Sequence, residues 1–394
     1  MNGEAGGGSR GPSRPPRNPR VLLAPDKFKG CLTAAEVAAA VAAGLHRHRP
    51  DLDIVAVPVA DGGDGTVAAA LSAGYSRVEV LTVGPTGLPV RTSYGLTGHR
   101  AVIELADVVG LARLPGGRLD PLVASTAGLG TVVGDALDRG ATEIVLGLGG
   151  SASTDGGAGL IQALGGALLD AGGQQLPPGG GALASLHALD LDALRARTDG
   201  VRFVVACDVD NPLLGVHGAA AVFGPQKGAS PAQVQQLDAA LAVWARVVAD
   251  AVGVDLADRP GAGAAGGTGF AALAVLGAEL RPGIELVLEL VGFDRLVTGA
   301  DLVVTGEGSL DGQSLAGKAP IGVAQAAARA GVPVVAVAGR NLLSDEQLHR
   351  AGISAVYALN ELEPDLTRSM AQASGLLSHL GGTIADRWLL GSDT

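Results

Sequence analysis

The apolar run Ile144, Val145, Leu146 leads directly into residues 147–160, GLGGSASTDGGAGL, and then into a helical pattern that ends near Leu164. A buried strand that gives way to glycines and hydroxyls before a helix confines the chain to strand–loop–helix units of the α/β kind. The glycines permit tight turns and leave backbone N–H groups uncovered, so the loop can wrap an anion at a helix start. A strand-to-helix turn with no ligand has the same composition, and one loop does not decide between the two. The recurrence of the design along the chain does.

Order is expected from Arg20, with a strand to Ala24, the loop PDKFKGCL and a helix over 34–47 in which Thr33 and Glu36 have capping-box spacing and Val37, Val41 and Leu45 form the buried stripe. A strand over 54–59, the loop ADGGDGT and a helix to about Ala73 follow. Between Arg77 and Leu111, Val/Thr-rich alternation with PTG and TG turns predicts a small antiparallel meander and a new subdomain. Helices are expected over 124–139 and 160–169, then a strand over 201–206 that delivers CDVDNPL. Ser230 and Pro231 open a long helix to Val252, and GAGAAGGTGF is a second Gly-rich loop before an apolar helix. The last unit is a strand over 301–305, the loop GEGSLDGQSLAGK, a helix over 320–330 and a strand over 332–338. This alternation predicts a mainly parallel sheet with crossover connections.

Composition excludes other classes. At 394 residues, 47% of them apolar, the chain has enough material for a large core or two. A net charge of −11 argues against broad nucleic-acid or anionic-membrane surfaces, which need clustered positive charge. Cys31 and Cys207 suggest neither a disulfide framework nor a metal cluster, which fits a reducing, cytoplasmic setting. No membrane span is expected. Residues 1–19 are rich in Gly, Pro, Ser and Arg without an apolar h-region, and read as a disordered tail rather than a signal peptide.

The cations and carboxylates narrow the chemistry. Of 28 basic residues only Lys27, Lys29, Lys227 and Lys318 are lysines, and each lies in a Gly- or Pro-flanked loop. A compact ammonium kept where Arg has otherwise taken over suggests a specific anion. Asp61 and Asp64 follow one strand, and Asp208, Asp210 and Asn211 another; Glu307 and Asp311 share the last loop. Asp61 or Asp64 could cap the following helix, yet two carboxylates with three glycines also suit Mg²⁺ or a substrate hydroxyl, and Glu307 with Asp311 offers a carboxylate for metal or proton transfer or else solvates its loop. Residues 312–319, GQSLAGKA, are one residue short of a P-loop, since Ala319 cannot ligate a metal and six residues separate the segment from Thr305. Hydride transfer is disfavoured because residues 174–178 lack the acidic group that would bind ribose.

Seven segments, APDKFKGCLTAAE, PVADGGDGT, GLGGSASTDGGAG, CDVDNPLLG, FGPQKGAS, GAGAAGG and VVTGEGSLDGQSLAGK, occur in the order seen in the bacterial type-I glycerate kinase family, which the chain resembles from about Val21 to Ala338. Lys27 stands where that family commonly has Ser. The resemblance implies two α/β lobes about a cleft. A Rossmann-like, mainly parallel three-layer lobe is expected from 20–76 and 285–394, with an inserted α/β lobe containing the meander over 77–284. It implies ATP- and Mg²⁺-dependent phosphorylation of D-glycerate to 2-phosphoglycerate.

Phosphoryl transfer needs cations for phosphate, carboxylates for Mg²⁺ and for the acceptor, and amides that cradle oxygens. The expected catalytic set is Asp208, Asp61, Glu307 and Lys29, with the base unresolved among the three carboxylates. The expected substrate and phosphate contacts are Lys27, Gly149, Gly150, Ser151, Ser153, Gly156, Gly157, Asn211, Lys227, Gly266, Gly267 and Lys318. Asp61, Asp208 and Asp311 are the expected Mg²⁺ ligands. Asp155 is expected first as a helix cap. Partners are nucleotide and D-glycerate, without nucleic acid or membrane. A non-catalytic nucleotide or anion sensor and a nicotinamide oxidoreductase are the alternatives.

Overall fold

The computed structural model describes residues 18–389. Residues 1–17 of the expected tail lie outside them; Pro19 already joins the fold, its carbonyl accepting the Asp53 N–H at 3.0 Å. Strands are numbered in chain order. A first sheet is wholly parallel, in the order β13 (Ala355–Ala358), β12 (Val334–Asn341), β11 (Leu302–Leu310), β1 (Arg20–Pro25), β2 (Asp53–Ala56). A second sheet of six strands runs β10 (Glu279–Arg281), β9 (Arg202–Ala206), β6 (Glu143–Gly147), β5 (Arg100–Glu104), β4 (Pro89–Thr97), β3 (Ser76–Val83). Strands β7 (Ala167–Leu169) and β8 (Ala188–Asp190) form a separate antiparallel pair.

Strand period explains the layers of the first sheet. Val21 and Leu23 point to one face, against Val37, Val41 and Leu45 of α1 (Ala34–His48) and Leu377 and Ile384 of the terminal helix Ala373–Trp388. Leu22 and Ala24 point to the other, with Val303, Val334, Ala336 and the helix Ala319–Arg329. The Thr33–Glu36 capping box starts α1 as its spacing predicts.

The second sheet is also covered on both faces. Ile103, Ile144, Leu146, Phe203 and Val205 meet Leu129, Val133, Leu160, Leu241 and Trp244 on one side. Val102, Val145 and Val204 meet Val67 and Ala70 of α2 (Thr66–Ser72) and Leu286 and Leu290 of the helix Gly283–Leu290 on the other. That last helix buries Ile284, Val287 and Leu288 against the core of the first sheet, so its opposite faces serve both sheets. Each such fully buried side chain contributes about 1.5–3 kcal/mol.

Several sequence expectations are corrected. The meander β3–β4–β5 is more than a hairpin pair, because β5 pairs in parallel with β6 and the hairpins become half of one mixed sheet. The helix expected over 160–169 ends at Ala163; Gly165, at φ +112°, turns the chain into β7. Strand β2 ends at Ala56, although Val57 and Val59 still donate to Leu23 and Pro25 of β1 on either side of Pro58, which has no N–H. Strand β11 continues through Leu310, which places Glu307 on a strand and not in a loop.

Candidate active site

Residues 57–66 leave the first sheet after β2 and reach the carboxyl ends of the second. Three close approaches fix this crossing. A Cβ on Gly62 would lie 2.4 Å from Gly283 Cα and 2.7 Å from Ala206 Cβ, and one on Gly149 would lie 2.9 Å from Gly63 Cα, so the loops meet backbone to backbone. Thr66 then donates its N–H to Glu104 Oε1 at 2.5 Å. Asp61 is thereby delivered between the strand ends of both sheets, where open α/β sheets bind ligands.

Four carboxylates gather around that crossing. Asp26, one residue past β1, is 8% exposed and donates its own N–H to Gly306 O at 2.8 Å. Burial pushes it up to about 6; Lys27 opposes this, while Asp61 and Asp64 add to it. Asp208, one residue past Cys207 at the end of β9, accepts the Gly283 N–H at 2.8 Å. Solvent reaches this side chain, yet the protein crowded around it raises it to about 6, with Asp61 contributing. Glu307, 8% exposed, is pushed to about 7 by burial against the opposing pull of Ser314 and Lys318, with Asp26 and Asp311 raising it further. Its Oε1 is buried without a hydrogen-bond partner. Such an atom costs about 1–3 kcal/mol if left unmet, so Glu307 has an oxygen free to take a further partner.

The lysines separate into three kinds. Lys29 is exposed, and Lys318 is half-buried at the N-cap of the helix Ala319–Arg329, close enough to Glu307 and Asp311 to act on both. Lys27 is engaged inside the loop cluster, donating to the Asp64 carbonyl and lying 3.6 Å from Asp64 Oδ2 and 3.9 Å from Asp26 Oδ1. Lys227 is 2% exposed and donates to Ser151 Oγ at 2.8 Å and to the Ser153 carbonyl. Burial lowers it to about 7, with Asp155 opposing. Expected as a phosphate ligand, it is an internal strut.

The Gly-rich loops divide in the same way. Gly149 and Gly150 are exposed, whereas residues 151–160 are buried. Gly156 donates to Gly266 O at 3.0 Å and its carbonyl accepts from Trp244 Nε1 at 3.0 Å; Gly157 donates to Asp155 Oδ1 at 3.3 Å, and Gly267 to Gly263 O at 3.3 Å. With those N–H groups satisfied by protein, the phosphate roles expected for Gly156, Gly157 and Gly267 are corrected to packing ones. Gly266 sits with them, since a Cβ there would lie 2.1 Å from Ser153 O. The strained Ala265, at φ +51°, belongs to this packed turn. Ser151 and Ser153 face Lys227, although Ser153 Oγ has no partner. Asp155 accepts from Thr126 N at 2.7 Å, Thr126 Oγ1 at 2.8 Å and Gly159 N, joining the starts of two helices in the capping role expected of it.

Asp311 accepts from Gln313 N at 2.9 Å and from Ser309 Oγ at 3.3 Å, and the Gln313 bond chiefly holds it below the usual carboxylate range. It is a turn carboxylate, not brought to Asp61 and Asp208. Among the described residues no three His, Cys, Asp or Glu side chains form a group that could hold a metal on its own, which corrects the expected three-residue set. Asn211 donates Nδ2 to His217 O at 2.8 Å. An open cleft of about 970 Å³ places Asp208, Asp210, Arg281 and Glu285 in one wall system with Gly317 and Gln325.

Sequence reasoning missed Asp26 and Glu104. Asp26 stands just past a strand end, as Asp208 does, and that shared position could have found it. Glu104 carries only a fainter signal, one of two acids, with Asp107, within the apolar run AVIELADVV.

The profile described as the glycerate kinase family matches residues 21–389. The chain is 46% identical over 343 residues to a glycerate kinase of Bacillus subtilis strain 168, covering 86% of this chain and 90% of that one. It is 46% identical over 346 residues to the glycerate 2-kinase of Escherichia coli K12, at 86% and 90% coverage. A crystal structure assigned as glycerate kinase 2 of Salmonella typhimurium LT2 superposes with a TM-score of 0.82 at 41% identity, covering 94% of this chain and 98% of that one.

Proposed function

The chain belongs to the glycerate kinase family and is a kinase, and from that premise we propose that it transfers the γ-phosphoryl group of ATP to the 2-hydroxyl of D-glycerate, in the cytoplasm, at a cleft between two lobes built on the two sheets. The observation that carries this reading is the partnerless Glu307 Oε1, buried beside Lys318 and Asp26 at the rim that the Asp61 loop joins to Asp208. The name of the Escherichia coli relative supports 2-phosphoglycerate as product.

In this mechanism Glu307 takes the proton of the accepting hydroxyl as its oxygen bonds to the γ-phosphorus and the bond to the β–γ bridging oxygen breaks, releasing ADP. A carboxylate raised to about 7 suits that task, because a base works best with its pKa near the working pH. Lys29 and Lys318 offset charge on the phosphates and on the glycerate carboxylate. Gly149 and Gly150 are exposed, and their backbone N–H groups receive phosphate oxygens in this reading. The donor set fits Mg²⁺: Asp61 and Asp208 would hold it, one or two carboxylates being the usual protein share beside phosphate oxygens and water. Bound there, Mg²⁺ neutralises phosphate charge and helps orient it.

The test is purified protein with D-glycerate, ATP and Mg²⁺, followed by ADP release and by phosphorus NMR of the product. Glycerate-dependent ADP with phosphate on the 2-hydroxyl is expected. Absence of such ADP overturns the reading, and phosphate on the 3-hydroxyl overturns its regiochemistry.

A further inference from the structure

The cleft beside Asp208 is far larger than glycerate needs. It measures about 970 Å³, at the upper end of small-molecule sites, and a three-carbon acid fills only a corner of it. It adjoins the transfer residues twice: Asp208 lines it after β9, and Gly317, the neighbour of Lys318, lines it ahead of the helix Ala319–Arg329. Gln325 lines it about 10 Å further along that helix than Lys318. The opposite wall is the helix Gly283–Leu290, and the two helices close the floor: Ile284 is buried, and a Cβ on Gly322 would lie 2.4 Å from Ile284 Cγ1. The lining acids outnumber the bases five to two, and both bases already face acids, Arg281 with Glu289 at 2.7 Å and Arg329 with Asp294 at 3.9 Å. Asp210, Glu285 and Gln325 are exposed, and their side chains make no hydrogen bond or ion pair among the described residues. Such a wall repels phosphate and the glycerate carboxylate, and it accepts hydrogen bonds from uncharged hydroxyl and amino groups.

We infer that this cleft holds the nucleoside half of ATP. The base lies over the Ile284 floor, with the Gln325 amide, both donor and acceptor, at its polar edge. The ribose hydroxyls donate to Asp210 and Glu285, and the phosphates leave past Gly317 towards Lys318. A nucleoside carries no charge, so the acids that repel glycerate do not repel it. The same field therefore sorts the two substrates, the nucleoside to the groove between the helices and glycerate to the lysine rim. A second cavity, of about 550 Å³ and lined by apolar residues such as Val83, Pro85, Leu122 and Pro178, has none of the proposed transfer residues in its lining.

This inference rests on the phosphoryl-transfer reading for its nucleotide, and its test has a readout that needs no turnover. The full chain is photolabelled with 8-azido-ATP and Mg²⁺, with and without excess ATP, and the modified peptides are mapped by mass spectrometry. Label that ATP suppresses is expected within residues 281–294 or 317–329, the two walls of the cleft. Suppressible label at the second cavity, in residues 83–87, 122–127 or 177–182, overturns the placement, as does suppressible label anywhere else or none at all. In parallel, Gln325→Trp fills the cleft from an exposed helix position. It should raise the KM for ATP by about tenfold and leave the KM for glycerate and the thermal midpoint unchanged. An unchanged KM for ATP, or an equal rise in both, overturns the inference. Suppressible label in the cleft without glycerate-dependent ADP leaves the nucleoside site standing and sinks the transfer reading; glycerate-dependent ADP with label elsewhere does the reverse.

Discussion

Lys227 and Lys318 occupy loops that look alike in sequence, each a Gly-flanked lysine shortly before a helix with proline in its first turn. Their surroundings are opposite. Lys227 is buried, with its ammonium on Ser151 Oγ and the Ser153 carbonyl. Lys318 sits at the rim between the sheets, and its charge meets Glu307 and Asp311. A lysine kept amid arginines therefore marks either of two needs. One is a slim amine that can thread into a packed loop, and the other is a point charge that can meet an anion.

Breaking the rim side should cost the most activity. Glu307→Gln is expected to lower kcat by about 10²–10⁴-fold with little change in thermal stability, as loss of a positioned base does. Because Glu307 is raised to about 7, wild-type kcat/KM should climb as pH rises through 7 and the base form fills, and the variant should lack that limb. A variant with near-normal turnover, or with the same limb, would remove Glu307 from the role of base.

The two lysines can then be set against each other. Lys318→Met should reduce kcat/KM by about 10–100-fold, the equivalent of a charged hydrogen bond worth about 1.5–3 kcal/mol, and leave the urea midpoint unchanged. Lys227→Met should do the reverse, lowering stability by about 1–3 kcal/mol for each acceptor left unmet while folded molecules keep most of their activity. Burial favours the neutral amine of Lys227 in the folded state, and its folded value of about 7 lies below the ordinary 10.5. That contribution is complete above 10.5 and is lost as pH falls through 7. The stability gap between wild type and Lys227→Met should thus widen by up to about 1.4 kcal/mol per unit as pH is raised from 7 towards 10. Equal behaviour of the two variants in both assays would dissolve the distinction.

The smallest effect is expected at Asp311. Its oxygens serve Gln313 and Ser309 of its own turn, so Asp311→Asn should stay within about 0.5 kcal/mol in stability and about twofold in kcat/KM. A large loss would return Asp311 to the ligand set.

Much of the fold was legible because its signals are local. The Thr33–Glu36 cap, the Ser230–Pro231 helix start and the strand ahead of Asp208 stand where spacing puts them. The helix proposed over 160–169 was not legible in its second half, since an apolar run as short as Ala167–Leu169 has the same pattern in a strand as in a helix until β8 pairs with it. Asp61, Asp208 and Glu307 were singled out by their place after or near strand ends, and the structure gathers them around the crossing loop. Gly156, Gly157, Gly266 and Gly267 were misread because a glycine admits a close neighbour without saying whether that neighbour is a phosphate or Trp244 and Lys227.

By itself the sequence determined which segments become strands and helices and which residue types stand in the loops between them, because periodicity, caps and turn residues act over a few positions. Tertiary structure alone decided which loops meet. The contact of Gly62 with Gly283, the bonds of Lys227 to Ser151 and Ser153 and the Glu104–Thr66 anchor join residues 38 to 221 positions apart. Burial and the fields of neighbouring charges, which set the protonation of Glu307 and Glu104, exist only once those contacts form.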